Sequence, residues 1–129
     1  MDELITKEEL QSDGRFLIIK INKLYKKDMT AVQLYEATRG YWRIDVKHAD
    51  EAEYVLSVAH GTVVEVYEPL AWAQAGTTAM ETRGPSKDPE HRYEFTGSLA
   101  PEELRNKYIG RSVKGLFKFG AVSPVTYFF

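Results

Sequence analysis

The residues best suited to chemistry lie in one stretch, LYEATRGYWRI at positions 34–44, which combines two Arg, one Glu, two Tyr and one Trp. Aromatic rings beside guanidinium groups can hold a flat or phosphorylated ligand through stacking and charge-assisted hydrogen bonds. Because side chains alternate along a strand, Tyr41 and Arg43 would share one face and Trp42 would take the other. We therefore predict that Arg39, Tyr41 and Arg43 face a ligand, while Trp42 packs in the core. The alternative is a structural clamp in which the arginines pair with carboxylates.

A second set of basic side chains is interleaved with aromatic rings near the C-terminus. Arg111, Lys114 and Lys118 are accompanied by Phe117 and Phe119. Such a pattern suits a nucleic-acid track, with phosphates on the cations and bases or ribose on the rings. It equally fits a terminal element whose Phe residues are core and whose Lys residues are solvated.

Trp72 is predicted to lie in an irregular segment after a hairpin strand. A Trp in such a position often anchors the segment to the core. The alternative places Trp72 opposite Tyr41, as one wall of a base-binding cleft.

Catalytic signatures are sparse. The chain has no Cys, and it carries neither a Gly-x-Ser-x-Gly motif nor a glycine-rich phosphate loop. Glu36 and Glu65 remain as candidates for a general base, with Lys20 or Arg39 able to fix a substrate. The histidines have no partner at ligand spacing, so we expect no metal and no cofactor; they are His48, His60 and His91.

Length and composition predict a single domain over residues 1–129. The lack of Cys fits a reducing compartment, and no apolar run reaches the length of a membrane span, so we expect a cytoplasmic protein without membrane contact. The net charge of −2 conceals segregation, because residues 15–47 carry eight Lys and Arg against three acids, whereas residues 48–100 carry three against nine. A basic face on a weakly acidic chain favours phosphate-bearing ligands.

The elements that would position these residues follow from caps, turns and periodicity. Two capping boxes, at Thr6 and Thr30, predict helices, the second running over 31–39 to Gly40. His60-Gly61 predicts a hairpin turn between strands 53–59 and 62–67, and residues 77–91 predict a mobile surface loop. The remaining predictions are strands at 16–21, 41–46, 93–97 and 125–129 and a helix at 101–107. Together they predict an α+β fold, a small curled, mostly antiparallel β-barrel with two or three short helices.

Several segments, in this order, resemble the PUA-like barrel domains, the group that includes ASCH, EVE and YTH domains. The segments are LYEATRGYWRI (34–44), AEYVLSVAHGTVVEVYE (52–68), RYEFTG (92–97), KYIGRSV (107–113) and SPVTYF (123–128). The chain is most similar to an uncharacterised family of small bacterial domains found alone or beside GIY-YIG-type nucleases. This resemblance implies a partner among RNA, DNA and modified nucleotides, held in an aromatic-lined cleft, and a nuclease partner by association.

The leading hypothesis is thus a binding module for nucleic acid or a modified nucleotide through an aromatic and arginine-lined cleft. One alternative, which the resemblance to ASCH domains implies, is a small hydrolase acting on a modified nucleoside, with Glu36 or Glu65 as base and Lys20 or Arg39 fixing the substrate. Another is an oligomeric protein-interaction or ligand-sequestering protein of phage or host defence. The loop 77–91 and three aromatic residues at the C-terminus motivate this last reading, in which exposed rings would favour a homodimer.

Overall fold

The computed structural model describes residues 4–117 and 123–129. Five strands and four α-helices are formed within these ranges. The strands are β1 (Phe16–Lys20), β2 (Tyr54–Ala59), β3 (Thr62–Gln74), β4 (Tyr93–Leu99) and β5 (Val125–Tyr127). The helices are α1 (Lys7–Asp13), α2 (Ala31–Arg39), α3 (Val46–Ala49) and α4 (Glu102–Tyr108), with short 3₁₀ turns at Pro89–His91 and Lys114–Leu116. The predicted α+β class is confirmed.

The strands form one mixed sheet in the order β4-β3-β2-β1-β5. β1 pairs with β2 in parallel, and the other three pairings are antiparallel. The predicted closed barrel is wrong, because the described residues leave β4 and β5 as the two edges of an open sheet. The outer edge of β4 is occupied by other groups: Trp42 exchanges backbone hydrogen bonds with Tyr93, and the Tyr35 hydroxyl bonds both the N–H and the carbonyl of Gly97.

The apolar strand β1 supplies both faces of the sheet with core residues. Phe16 and Ile18 belong to one hydrophobic cluster, and Leu17 and Ile19 to the other. All four side chains are fully buried. The continuous apolar run therefore belongs to an interior strand that is covered on both faces.

Helix α2 has the predicted bounds because its caps are local. Thr30 accepts from the N–H of Gln33 at 3.2 Å, and the Gln33 side chain accepts from the N–H of Thr30 at 2.8 Å. The helix buries Glu36, a candidate general base, and Arg39, which was predicted to face a ligand. These two side chains are only 3% and 4% exposed. The reason is tertiary, since the segment after β3 covers that face of the helix.

The hairpin forms as predicted, with left-handed backbone at His60 (φ 51°) and Gly61 (φ 84°). A register shift between Ser57 and Val58 pairs Val58 with Val63, and both valines belong to the same hydrophobic cluster. Such a shift follows from a β-bulge, which a period-two pattern cannot predict.

Two other strand predictions are wrong. β3 continues past Pro69 through a second bulge to Gln74, so Trp72 lies in a strand paired with Phe95 and not in an irregular segment. Residues 41–46 form no strand beyond a single bridge at Trp42, because Asp45 caps the short helix α3 instead.

The C-terminal aromatic residues pack against the hydrophobic clusters of the core. Phe128 is 9% exposed within a core cluster, and Tyr127 stacks on His48 with ring centroids 4.1 Å apart. Tyr127 and Phe129 are half-buried, so the tail displays less aromatic surface than three exposed rings would, and the homodimer stays a prediction.

No helix in the ranges 4–117 and 123–129 combines the length and apolar character needed to cross a membrane.

Gly97 leaves no room for a side chain beside the second bulge. A Cβ atom at this position would lie 2.3 Å from the carbonyl oxygen of Glu68 and 2.8 Å from the Cα of Pro69, both backbone atoms. We expect Gly97→Ala to lower the free energy of unfolding by about 3 kcal/mol, because the strands must separate. Gly84→Ala is the matched control, since its Cβ would meet no atom within 4 Å. Urea denaturation checks this, and equal midpoints for the two variants would contradict it.

Candidate nucleic-acid interface

The β3–β4 loop, residues 75–92, is fixed to helix α2 by buried polar groups. The Glu94 carboxylate accepts from the N–H groups of Gly76 at 2.9 Å and Thr78 at 2.8 Å, and from the Thr78 hydroxyl. Arg39 donates to the Thr78 hydroxyl and to the Ala79 carbonyl, both at 2.7 Å. Arg39 also forms a buried ion pair with Glu94, at 3.6 Å. Arg39 therefore holds the loop and does not face a ligand.

Glu36 makes the next attachment. Its oxygens accept from the N–H groups of Glu81 and Thr82, both at 2.6 Å, and from the Thr82 hydroxyl at 2.5 Å. Burial alone would raise the pKa of Glu36, but these hydrogen bonds and the Arg39 charge outweigh it and hold the pKa below its usual value. A carboxylate so occupied is an anchor for the loop rather than a general base. The loop predicted to be mobile is thus tied down over its first half.

Two arginines of the loop are oriented by neutral carbonyl groups. Arg83 donates to the carbonyls of Glu36, at 2.8 Å, and Gly40, and its guanidinium lies 4.4 Å from the ring centroid of Tyr41. Arg92 donates to the Tyr41 carbonyl at 3.1 Å. Burial lowers the pKa of Arg83 from its usual value, but arginine remains protonated in proteins. Neither guanidinium forms an ion pair within the described residues, although the charge of Glu36 acts on Arg83 and that of Asp88 on Arg92.

These arginines lie in two neighbouring depressions of about 400 and 450 Å³ that share Arg83. We call their combined surface the basic groove. Among the described residues, its lining contains six basic side chains against two aspartates, Asp28 and Asp88. The basic residues are Lys23, Lys26, Arg43, Arg83, Lys87 and Arg92. Among the described residues, none of these six except Arg43 forms an ion pair with an acid.

The predicted trio of Arg39, Tyr41 and Arg43 is split by the structure. Tyr41 and Arg43 line the same depression, whereas Arg39 is buried in the loop anchor. Tyr41 is 9% exposed, its ring lies beneath the Arg83 guanidinium, and its hydroxyl donates to the Gly84 carbonyl at 3.1 Å. Arg43 pairs with Asp88 at 2.6 Å. Trp42 packs against the core and donates to the Thr38 carbonyl at 2.7 Å, as predicted for the opposite face.

Three other predicted site residues serve the fold. Arg111 forms two hydrogen bonds with the Glu9 carboxylate, both at 2.8 Å. Glu65 accepts from Arg105 at 2.8 and 3.1 Å, so it is ion-paired and no free base. Trp72 packs on Phe95, with ring centroids 5.1 Å apart.

Two of the three remaining predicted site residues lie together. Lys20 and Lys114 line a third depression of about 470 Å³ with Phe117. We call it the Lys20–Lys114 pocket. Lys118 lies outside the described residues.

Five of the six basic residues of the groove were not predicted from the sequence as site residues. A signal existed for Lys23 and Lys26, since the connection 22–29 is rich in lysine. The segment RGPSK at 83–87 has two bases and no acid, but it lies in a region of strongly negative net charge. The net charge of residues 48–100 is negative, so it does not reveal the local excess of basic residues at 83–87. The fold places Arg83 of this segment next to residues 23–26.

Within the described ranges, no group of three or more His, Asp or Glu side chains is arranged to hold a metal ion. Comparisons of the chain with protein-family models, with curated proteins and with solved structures find no match.

Proposed function

We propose that the protein binds nucleic acid by seating a phosphate backbone in the basic groove. The observation that carries this proposal is the concentration of six basic side chains against two acids along two depressions that share Arg83, on a chain of net charge −2. Such segregation places positive potential on one surface, where it attracts a polyanion.

The way the cations are held supports a preorganised interface. Arg83 and Arg92 are fixed by backbone carbonyls, and the loop that carries them is anchored through Glu36 and Glu94. Less side-chain and loop entropy is therefore lost when phosphates bind. Arg105, by contrast, is ion-paired with Glu65, so an acid already compensates its charge.

The groove favours recognition of the backbone over recognition of base sequence. Tyr41 is the one aromatic residue among the described residues that line it, and Arg83 lies over that ring. Phosphate contacts fix position and affinity but carry no sequence information. We therefore propose binding with little sequence preference. The PUA-like resemblance points to the same class of partner, although the open sheet departs from a closed barrel, so the proposal rests on the groove.

Titrations with single-stranded DNA, single-stranded RNA and duplex DNA of about 20 nucleotides test the proposal at several salt concentrations. We expect the logarithm of the binding constant to fall linearly with the logarithm of salt concentration. Lys23→Gln and Lys87→Gln should each reduce the magnitude of that slope by about 1, because each removes one phosphate contact.

Lys7→Gln and Lys47→Gln are the matched controls, since both lysines are exposed and lie outside the groove. They should leave the slope unchanged. Binding without salt dependence, or equal loss in the groove and control variants, would contradict the proposal.

A further inference from the structure

Asp88, one of the two described acids of the basic groove, is surrounded by basic side chains. Its Oδ2 accepts from Arg43 at 2.6 Å, and its Oδ1 lies 2.7 Å from Nδ1 of His91. Arg92 lines the same depression, and its charge also acts on the carboxylate. The hydrogen bond with His91 and the neighbouring basic charges hold the pKa of Asp88 below its usual value. The carboxylate therefore fills an anion-binding position built from basic groups.

The carboxylate of Asp88 is not used in the way that its place in the chain favours. Asp88 is the N-cap residue of the 3₁₀ turn Pro89–His91, where an aspartate commonly accepts from the N–H groups of the first turn. Within the described ranges, its side chain makes no such hydrogen bond. The backbone of the turn is held separately, since the Gln74 side chain donates to the Pro89 carbonyl at 3.2 Å. The carboxylate can thus leave Arg43 by side-chain rotation, with the turn as its alternative partner.

The ion pair between Arg43 and Asp88 is open to water. The Arg43 side chain is 64% exposed and that of Asp88 is 30% exposed. Exposed ion pairs contribute little to stability, because water screens the charges and two side chains must be held in one geometry. Another anion can therefore replace Asp88 at small cost. The pair of Arg39 and Glu94, with side chains 4% and 0% exposed, does not allow such a replacement.

A phosphate of a strand in the groove presents a group that Arg43 binds well. A guanidinium pairs with phosphate through two parallel hydrogen bonds, and Lys87 and Arg92 line the same depression. We propose that Asp88 occupies the position of one backbone phosphate and gives it up when a strand binds, so that Arg43 exchanges the carboxylate for a phosphate. This inference rests on the proposed function and adds a regulation of its site.

The exchange favours a polyanion over a single anion. A phosphodiester and a carboxylate each carry one negative charge, so the exchange at Arg43 gains no charge by itself. A strand gains further contacts, because its other phosphates reach basic residues elsewhere in the groove. An isolated anion lacks these contacts and must displace Asp88 without them. Asp88 thus lowers the affinity of the groove and restricts it to extended ligands.

Asp28, the other acid of the groove, separates the charge of Asp88 from its contact with Arg43. Asp28 is exposed and forms no ion pair within the described residues. With single-stranded DNA at low salt, we expect Asp88→Asn to raise the affinity about 10-fold and Asp28→Asn to raise it about 2-fold, because only the first change also releases a cation. Thermal midpoints, measured first, confirm that each variant is folded.

Arg43 provides the second readout. Because it contacts phosphate in the bound state, Arg43→Gln should reduce the magnitude of the salt slope by about 1, in the native chain and in the Asp88→Asn variant alike. In the Arg43→Gln background, the gain from Asp88→Asn should fall to that of Asp28→Asn. Arg15→Gln is the matched control and should leave the slope unchanged, since Arg15 is also exposed and ion-paired but lies outside the groove.

An unchanged salt slope in Arg43→Gln, or equal gains from Asp88→Asn and Asp28→Asn, would overturn the inference. The groove itself would then stand, because Lys23→Gln and Lys87→Gln would still reduce the slope. Failure of the proposed function would appear differently, as binding without salt dependence in the native chain, and would overturn both.

Discussion

Glu94→Gln and Arg39→Met are each expected to lower the free energy of unfolding by about 3–5 kcal/mol, because each leaves a buried charge without its partner. The two side chains are 0% and 4% exposed and lie 3.6 Å apart. Loss of Arg39 leaves Glu94 with hydrogen bonds from Gly76 and Thr78 but without a counter-charge. Since whole domains are stable by about 5–15 kcal/mol, either change should be visible in urea denaturation.

The double variant Arg39→Met/Glu94→Gln should lose less than the sum of the two single losses. Removing both charges eliminates the penalty of a single unpaired one, so a coupling energy of about 1–3 kcal/mol is expected.

Arg15 and Glu53 provide the matched control for this pair. Their charged atoms are also 3.6 Å apart, but their side chains are 55% and 44% exposed. Arg15→Met should therefore lower the free energy of unfolding by about 1 kcal/mol or less. Equal losses at the exposed and buried pairs, or strict additivity of the Arg39 and Glu94 variants, would refute the role of burial.

Glu36→Gln is expected to lower the free energy of unfolding by about 2–4 kcal/mol at pH 7. The carboxylate accepts from two N–H groups and a hydroxyl, and an amide would turn its own NH₂ towards one of these donors. Because the loop anchored by Glu36 carries Arg83, Lys87 and Arg92, the variant should also bind nucleic acid more weakly.

The stability difference between the native chain and Glu36→Gln should depend on pH. The pKa of Glu36 is lowered from its ordinary value of 4.5 in the folded state. The stabilisation by this group is therefore fully present above that ordinary value and is lost as the pH falls towards the folded-state pKa. Denaturation curves between pH 7 and pH 3 should show the difference shrinking on acidification.

Glu51→Gln is the control, since Glu51 is exposed and its side chain makes no described hydrogen bond. It should cost little at any of these pH values. A Glu36→Gln difference that stays constant down to pH 3 would contradict the assignment of the carboxylate as the anchor.

Several parts of the fold could be predicted because their determinants are local. The bounds of helix α2 follow from hydrogen bonds between residues three apart, at Thr30 and Gln33. The hairpin turn follows from the backbone preferences of His60-Gly61, and the interior strand β1 from an unbroken apolar run. Closure of the sheet was mispredicted, since it depends on what pairs with the edge of β4, namely Trp42 and Tyr35.

The candidate site depends on contacts between residues that are far apart in the sequence. The sequence by itself determined that basic and aromatic residues are concentrated in segments 34–44 and 111–119, and it predicted Tyr41 and Arg43 on one face. It could not determine which cations are cancelled by acids, because such partners are far apart in the chain; Glu36, for example, anchors a residue 45 positions away. Only the tertiary structure buried Arg39 against Glu94, fixed Arg83 and Arg92 on carbonyls, and placed Lys20 and Lys114 in the lining of one pocket. Burial and charge pairing are properties of the folded packing.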